Sequence, residues 1–412
     1  MSKNLIIYYS RTGENYWNGG IKNITKGNTE IVAEFIQKAV GGDLFHVETV
    51  KTYAADYYKC INEAKQELHS KQMVDLFMEA GLTYFDTAYV YDSGGSEKAA
   101  KEALVDRYPR ESFTLATKLC AWMGAHNEKT AKQQFYTSLE RTGAGYFDYY
   151  LLHALQAGNY KLYDKYHLWD FVKEQKAKGL IKHWGFSFHA GPELLDELLT
   201  EHPDTEFVQL QLNYADWENP KVAARANYDV ARKHGKSIII MEPVKGGALA
   251  NPPKDIRSVF QEVSPDASFA SWAIRYAASL EGIITVLSGM SDLEQIRDNL
   301  SYMRDFKPLN GPEQAAIRKA QELMNGVKSI PCTACHYCTA GCPKQIPIPE
   351  IFGARNQQLV WGHLEEGRRQ YTAAVENAGK ADDCIACGQC ERACPQQIDV
   401  ISRLKECAAQ FE

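Results

Sequence analysis

The sequence predicts an α/β chain centred on a parallel β/α barrel, with a strand–loop–helix unit before it and a helical, cysteine-rich module after it. Seven short apolar runs alternate with amphipathic helical stretches between residues 83 and 290. The first three runs each end on a titratable residue: Tyr84-Phe-Asp86, Phe113-Thr-Leu-Ala-Thr-Lys118 and Tyr149-Tyr-Leu-Leu-His153. Eight of the eleven cysteines fall in two clusters beyond residue 330. In a TIM (β/α)8-type barrel the carboxyl ends of the strands converge on one mouth, so Asp86, Lys118 and His153 are expected to meet there.

A chain of 412 residues, 45% of them hydrophobic, supports two or three cores. The expected boundaries are 1–69, 70–327 and 328–412. A net charge of −6 and the lack of any basic stretch with interleaved aromatics argue against nucleic-acid binding. The first apolar run is too short for a signal-peptide core, and no run approaches the ~20 residues of a membrane span. A cytoplasmic protein without a membrane partner is expected. Cys60, Cys120 and Cys407, outside the clusters, read as structural.

At the front, Asn4-Leu-Ile-Ile-Tyr-Tyr9 is a buried-type strand leading into Ser10-Arg-Thr-Gly13. After a polar insert, Gly27-Asn-Thr-Glu30 opens a helix with Ile31, Val32, Phe35, Ile36 and Ala39 on one face, and a strand at Asp43–Val50 follows. Free amides and hydroxyls at such a junction cradle an anion, which makes Ser10, Thr12, Gly13, Asn28 and Thr29 candidate phosphate contacts. The pattern resembles the first β-α-β unit of a flavodoxin, whose loop of this kind holds FMN. The later loops that flank a flavin have no counterpart, and a unit under ~70 residues has little core of its own. A remnant that binds nothing is therefore favoured over an FMN site.

The barrel strands are expected at 83–88, 113–119, 146–154, 181–189, 207–214, 236–244 and 282–290. Helices are expected at 96–106, 128–141, 167–178, 191–200, 219–234 and 266–280. That is seven strands where closure needs eight. The vacant slot precedes the helix Gln72–Ala80. Asp43–Val50 is favoured to fill it, because it directly precedes the helical run from about Ala55 to Ala80 and parallel neighbours need a crossover. Asn4–Tyr9 is the other available strand.

Phe85-Asp-Thr-Ala88 with a Tyr five residues after the Asp, together with the strand-end Lys118 and His153, closely resembles the aldo/keto reductase family. The resemblance implies carbonyl reduction by hydride, which needs a proton donor for the developing alkoxide and a group to polarise the carbonyl. Tyr91, five residues after Asp86, is the candidate donor. An ordinary phenol titrates near ~10, so an adjacent ammonium, Lys118 held by Asp86, is expected to lower it. His153 would orient the carbonyl oxygen together with Tyr91. The resemblance covers about Gln72 to Asn299. It implies reduction of a small carbonyl with NADP or NAD, by Asp86, Tyr91, Lys118 and His153.

The resemblance also implies that Ser187 and Gln209 bind the nicotinamide carboxamide. Met241 stands where many relatives stack an aromatic. After the last strand, Ser288, Gly289, Ser291 and Gln295 lie around a helix start, where Ser291 and Glu294 are expected to form a capping box and amides to hold a phosphate. The Lys and Arg that many relatives aim at the 2′-phosphate are not matched, since Gly289 and Gln295 fall there. The sequence does not choose between NADPH and NADH.

Past a helix near Gly311–Asn325, Cys332-Thr-Ala-Cys335-His-Tyr-Cys338-Thr-Ala-Gly-Cys342-Pro343 is repeated as Cys384-Ile-Ala-Cys387-Gly-Gln-Cys390-Glu-Arg-Ala-Cys394-Pro395. Both are C-x2-C-x2-C-x3-C-P, the two-cluster ferredoxin run, in which the fourth cysteine serves the other cluster. Cys332, Cys335, Cys338 and Cys394 are assigned to one [4Fe–4S] cluster, and Cys384, Cys387, Cys390 and Cys342 to the second. Structural zinc is the alternative, and two full copies ending in Cys-Pro weigh against it. Helical patterns at Ile348–Val360 and Leu364–Asn377 point to an α-helical ferredoxin-type domain.

Nicotinamide passes two electrons as hydride and a cluster passes one, so a flavin normally bridges them. Without FMN the clusters are structural or serve an external flavoprotein or ferredoxin. The alternative function is an iron–sulfur electron-transfer protein whose barrel is a non-catalytic scaffold.

Overall fold

The computed structural model describes residues 5–17, 20–47, 54–220, 222–324, 329–361 and 363–412. The chain divides into two compact units, Met1–Asp75 and Leu76–Glu412.

The first unit runs β1 (Leu5–Tyr8), β2 (Gly13–Trp17), β3 (Gly20–Ile24), α1 (Asn28–Val40) and β4 (Asp43–His46), followed by α2 (Tyr57–Glu79). Strands β1 and β4 pair in parallel from Leu5↔Asp43 to Tyr8↔His46, and α1 is the crossover that parallel pairing demands. The Tyr8 and His46 rings stack at 5.0 Å. The expected polar insert is an antiparallel hairpin, β2 with β3. Leu5 and Ile7 are exposed, so β1 is not the buried strand its apolar run suggests; a sheet of two strands has too little surface to cover both faces.

This arrangement corrects the expectation for the missing barrel strand. Neither the strand expected at Asp43–Val50 nor that at Asn4–Tyr9 fills the slot. Their described parts are each other's partners in a separate two-stranded sheet, because α1 is long enough to return the chain to β1's own edge. Asn4 and residues 48–50 lie outside the described residues.

The second unit begins β5 (Tyr84–Asp86), α3 (Gly95–Ala100), β6 (Thr114–Leu119), α4 (Glu128–Thr142), β7 (Phe147–Leu155), α5 (Lys161–Lys165), α6 (Leu168–Ala177) and β8 (Ile181–Phe188). It continues α7 (Pro192–Glu201), β9 (Phe207–Gln211), α8 (Ala224–Lys233), β10 (Ser237–Met241), α9 (Lys254–Val263), α10 (Phe269–Ala278), β11 (Ile283–Val286) and α11 (Leu293–Met303). All seven expected strands form, and they pair in parallel in chain order from β5 to β11. Among the described residues no ladder joins the β5 and β11 edges, so the sheet is seven strands of an eight-strand-type barrel.

Ala116, Leu151, Phe207 and Ile239, from four strands, pack as an inner layer, so the barrel is filled rather than hollow. Helices α5 and α9 have no counterpart among the expected ones. The capping of α11 differs from expectation by one residue: Asp292, not Ser291, accepts from the Gln295 amide at 2.8 Å. Asp292 is the residue whose extended backbone aims its carboxylate at the third amide of the helix. Ser291 instead donates its own amide to the Gln295 side chain at 2.8 Å.

Helix α12 (Gly311–Met324) leads to the cysteine-rich module, built on α13 (Ile348–Trp361), α14 (Leu364–Val375), α15 (Gln389–Ala393) and α16 (Val400–Phe411). Its core joins Ile351, Phe352, Tyr371, Leu404 and Cys407, with Cys390 and Cys394 among the same buried side chains. Asn325, the expected end of α12, lies outside the described residues. No described helix is long and apolar enough to cross a membrane.

Candidate active site and cysteine cavities

Strand β5 delivers Asp86, and the pairing with β6 continues beyond it, with the Thr87 amide on Ala116 O (2.9 Å) and the Tyr89 amide on Lys118 O (3.1 Å). The chain then turns sharply, with Asp92 and Ser93 at φ 49° and 51° and Gly94 at 89°. A methyl on Gly94 would come within 2.5 Å of the Arg141 guanidinium, whose Nη1 donates to Tyr89 O at 3.0 Å. The loop that presents Tyr91 is thus clamped from behind by α4, at a position that glycine alone accommodates.

Lys118, fully buried, pairs with Asp86 and donates to Thr87 O at 2.8 Å. Its Nζ lies 5.0 Å from the centre of the Tyr91 ring. The His153 ring, buried, meets that ring edge-on at 5.4 Å. The four residues separated in sequence therefore stand together at the strand ends.

Their electrostatics differ from expectation. Lys118 does not lower the Tyr91 phenol; burial, then the Asp86 carboxylate, pushes it up. The ammonium is engaged by Asp86 and Thr87 O instead. Burial likewise holds Asp86 above and Lys118 below their ordinary ranges. His153 is held well below its ordinary value by burial and by Lys118, and burial lowers His189 to about 4.

Both imidazoles are thus kept neutral. Their stability contribution is complete above the unfolded value of 6.5 and is lost as pH falls below it. His189→Gln is expected to flatten the decline in stability between pH 6.5 and about 4, measured by denaturant titration.

A cavity of about 1000 Å³ opens over these residues. Ser187, Gln209, Met241, Ser288, Gly289, Ser291 and Gln295 all line it with Asp86, Tyr91 and His153. Gln209 Oε1 is buried without a hydrogen-bond partner among the described residues, while its Nε2 reaches Met241 Sδ at 3.3 Å. An orphaned acceptor at this depth is the group a carboxamide N–H would satisfy, so the residues fit a nicotinamide. Ser187 Oγ already accepts from the Ala154 amide at 2.7 Å and has its proton left to donate.

At the front loop, candidate phosphate contacts are engaged with the protein's own groups. Ser10 Oγ accepts from the Glu30 amide at 3.1 Å, and a methyl on Gly27 would lie 2.0 Å from it. Ser10 thus takes an amide at the start of α1 that a phosphate would need. Thr12 precedes β2, Gly13 opens it, and Asn28 and Thr29 form the first turn of α1. This arrangement agrees with a front that is not laid out as an FMN phosphate loop.

All eleven cysteines are free of disulfides. Eight line two small cavities: Cys332, Cys335, Cys338 and Cys394 one, and Cys342, Cys384, Cys387 and Cys390 the other. Each cavity holds three cysteines of one motif and the last of the other. Four thiols around a mostly apolar pocket suit a [4Fe–4S] cluster.

The module meets the barrel within the second unit. Gln211 of β9 and Gln396 exchange side-chain hydrogen bonds at 2.9 and 2.8 Å, both buried. A methyl on Gly246 would fall 2.6 Å from Thr333 O. Gln396→Leu leaves the Gln211 carbonyl without its donor and should cost about 1–3 kcal/mol in denaturant unfolding of the cluster-loaded protein.

Three residues at this site were not singled out from the sequence. Tyr337 lines the same cavity as Tyr91. Trp122 packs edge-on against Tyr337 at 5.9 Å. Glu242 lines the cavity with its carboxyl pushed up by burial to about 7. Of these, Tyr337 carried a signal: an aromatic inside the first cysteine motif where the second has Gly-Gln.

The model of the aldo/keto reductase family matches residues 58–322, and that of the 4Fe-4S dicluster domain matches 331–398. An uncharacterized oxidoreductase of Bacillus subtilis, YqkF, is 23% identical over 272 residues, 58% of this chain and 84% of that protein. The Escherichia coli methylglyoxal reductase YeaE is 36% identical over 110 residues, 27% of this chain and 36% of that one. An aldo/keto reductase of Klebsiella pneumoniae, solved with NADP and acetate, superposes with a TM-score of 0.52 at 19% identity, covering 63% of this chain and 87% of that one. With the family model running from α2 into α12, this chain belongs to the aldo/keto reductase family, as an oxidoreductase that carries a 4Fe-4S dicluster domain behind its barrel.

Proposed function

We propose that the protein reduces a small carbonyl with NADPH or NADH, Tyr91 giving the proton. The observation that carries this reading is the meeting of Asp86, Tyr91 and His153, with Lys118 behind them, in one cavity with the orphaned acceptor of Gln209. A bound nicotinamide supplies hydride to the carbonyl carbon. Tyr91 and His153 hold the carbonyl oxygen, and Tyr91 passes its proton to that oxygen as charge develops there. Lys118, anchored by Asp86, keeps a positive charge behind the phenol and balances the phenolate left there. A phenol pushed up by burial stays protonated at neutral pH, which suits a donor to an alkoxide. The Klebsiella neighbour's NADP makes NADPH the first cofactor to test. Methylglyoxal, named for the E. coli relative, is the first substrate.

The division 1–69, 70–327 and 328–412 remains our domain reading, with the first part a remnant that binds no FMN. Cys332, Cys335, Cys338 and Cys394 would hold one cluster, and Cys342, Cys384, Cys387 and Cys390 the second. Clusters supply single electrons. Ile385, 58% exposed in the lining of the second cavity, makes that cavity the side for an external flavoprotein or ferredoxin. The reading is of a cytoplasmic enzyme.

Anaerobic titration of cluster-loaded protein with NADPH and NADH, followed by Trp fluorescence, tests it. Micromolar binding together with methylglyoxal-dependent oxidation of the nucleotide is expected. Reducible clusters with neither would mean an electron carrier on a scaffold barrel.

A further inference from the structure

The first cysteine cavity and the carbonyl cavity share a wall. Cys335 and His336 line both, and Tyr337, Ala340 and Pro395 line the carbonyl cavity beside them. Among the described residues, none that lines the second cysteine cavity also lines the carbonyl cavity.

The two motifs diverge at this wall. Ala334 and Ala386 share a φ of 54°, so the loops start on one path. At the next left-handed position the second motif uses Gly388, φ 73°, and the first uses His336, φ 60°, accepting strain that glycine avoids. Beyond it the second motif winds into α15, whereas the matching residues 337–341 stay an open turn. Ala340 stands where the second motif has Arg392, and a methyl takes little of the cavity.

Three contacts hold the wall against the barrel. Trp122, just past β6, meets the Tyr337 ring edge-on at 5.9 Å. Gly246, past β10, lies so close to Thr333 that a methyl on it would fall 2.6 Å from Thr333 O. Gln396, next to Pro395, exchanges hydrogen bonds with Gln211 of β9. The module therefore closes the barrel mouth from outside at a fixed distance, as a packed surface does.

We propose that the turn from Tyr337 to Ala340 decides which carbonyls enter the barrel. Tyr337 and Ala340 are specificity-determining residues, and the compound they admit carries an apolar group of ring size on its carbonyl carbon. This rests on the reading of Tyr91 as proton donor. Met123, Val244 and Met290 line the same cavity, so such a group finds apolar surface to be buried against. The first cysteine motif thus sets the substrate range as well as seating a cluster.

The test uses the cluster-loaded chain, with loading checked by iron content, and compares benzaldehyde with the smaller methylglyoxal. Ala340 is exposed and outside the module's core, so Ala340→Phe meets no packed neighbour in folding. It is expected to lower the ratio of kcat/KM for benzaldehyde to that for methylglyoxal about tenfold or more, through KM. Tyr337→Ala, which opens the wall, should raise the same ratio and decides the matter should Ala340→Phe fail to load.

An unchanged ratio in a loaded variant would overturn the proposal. Should wild type reduce neither aldehyde, the proposed reaction falls, and saturation-transfer NMR of benzaldehyde on the loaded chain takes over. Weaker transfer to Ala340→Phe than to wild type would leave the wall standing without the reaction, and equal transfer would remove both.

Discussion

Tyr91→Phe is expected to lower carbonyl turnover by about 10²–10⁴-fold while nucleotide binding stays unchanged, because it deletes one proton donor and almost no volume. The ring is fixed by neighbours that the substitution does not touch: His153 edge-on at 5.4 Å and the Lys118 ammonium 5.0 Å from its centre. The proposed nicotinamide contacts lie on other strands, Ser187 on β8 and Gln209 on β9. A fall in kcat with constant Kd therefore separates chemistry from binding, and unchanged turnover would remove Tyr91 from the mechanism. Lys118→Met is a poorer probe. It leaves the Asp86 carboxylate buried without its partner, which costs about 3–5 kcal/mol of folding stability before any effect on rate is read.

The barrel was legible because inner strands such as β6, β7 and β9 are buried on both faces and read as nearly unbroken apolar runs, such as Tyr149 to Leu152 before His153 in β7. The polar residue that ends each run marks the mouth, so Asp86, Lys118 and His153 could be placed together from sequence. The cysteine motifs were legible for another reason: ligand spacing is a local constraint that survives any fold around it. Properties set by distant packing were not legible. The upward push on Tyr91 depends on how deeply the phenol is buried and on where the Lys118 ammonium turns. The pairing of β1 with β4 depends on which of two available edges α1 returns to. The meeting of Tyr337 and Tyr91 in one cavity joins residues in two differently recognised segments, and no periodicity within either one reports it.

Cys394→Ala is expected to remove the cluster of the first cavity, not that of its own motif, and to lower bound iron from about eight to about four atoms per chain. The basis is the lining of the two cavities, in which Cys394 stands with Cys332, Cys335 and Cys338, and Cys342 with Cys384, Cys387 and Cys390. An iron count on the single variant gives half in either topology, so double variants make the distinction. If the fourth cysteines are exchanged, Cys332→Ala with Cys394→Ala strikes one cluster twice and retains about four iron atoms, whereas Cys384→Ala with Cys394→Ala strikes both and retains almost none. Unexchanged ligation reverses the two results. The exchange also has a structural consequence, because each cluster then ties the first motif to the second across α13 and α14. Cys390 and Cys394 are part of the module's buried core with Phe352, Tyr371 and Leu404. Removing both clusters should therefore loosen that core as well as end electron transfer, since ligand binding free energy is folding free energy in a module of this size. Protease sensitivity confined to residues beyond 330 in the cluster-free double variant is the expected sign, and a cluster-free module as resistant as the loaded one would show that its helices hold without the metal.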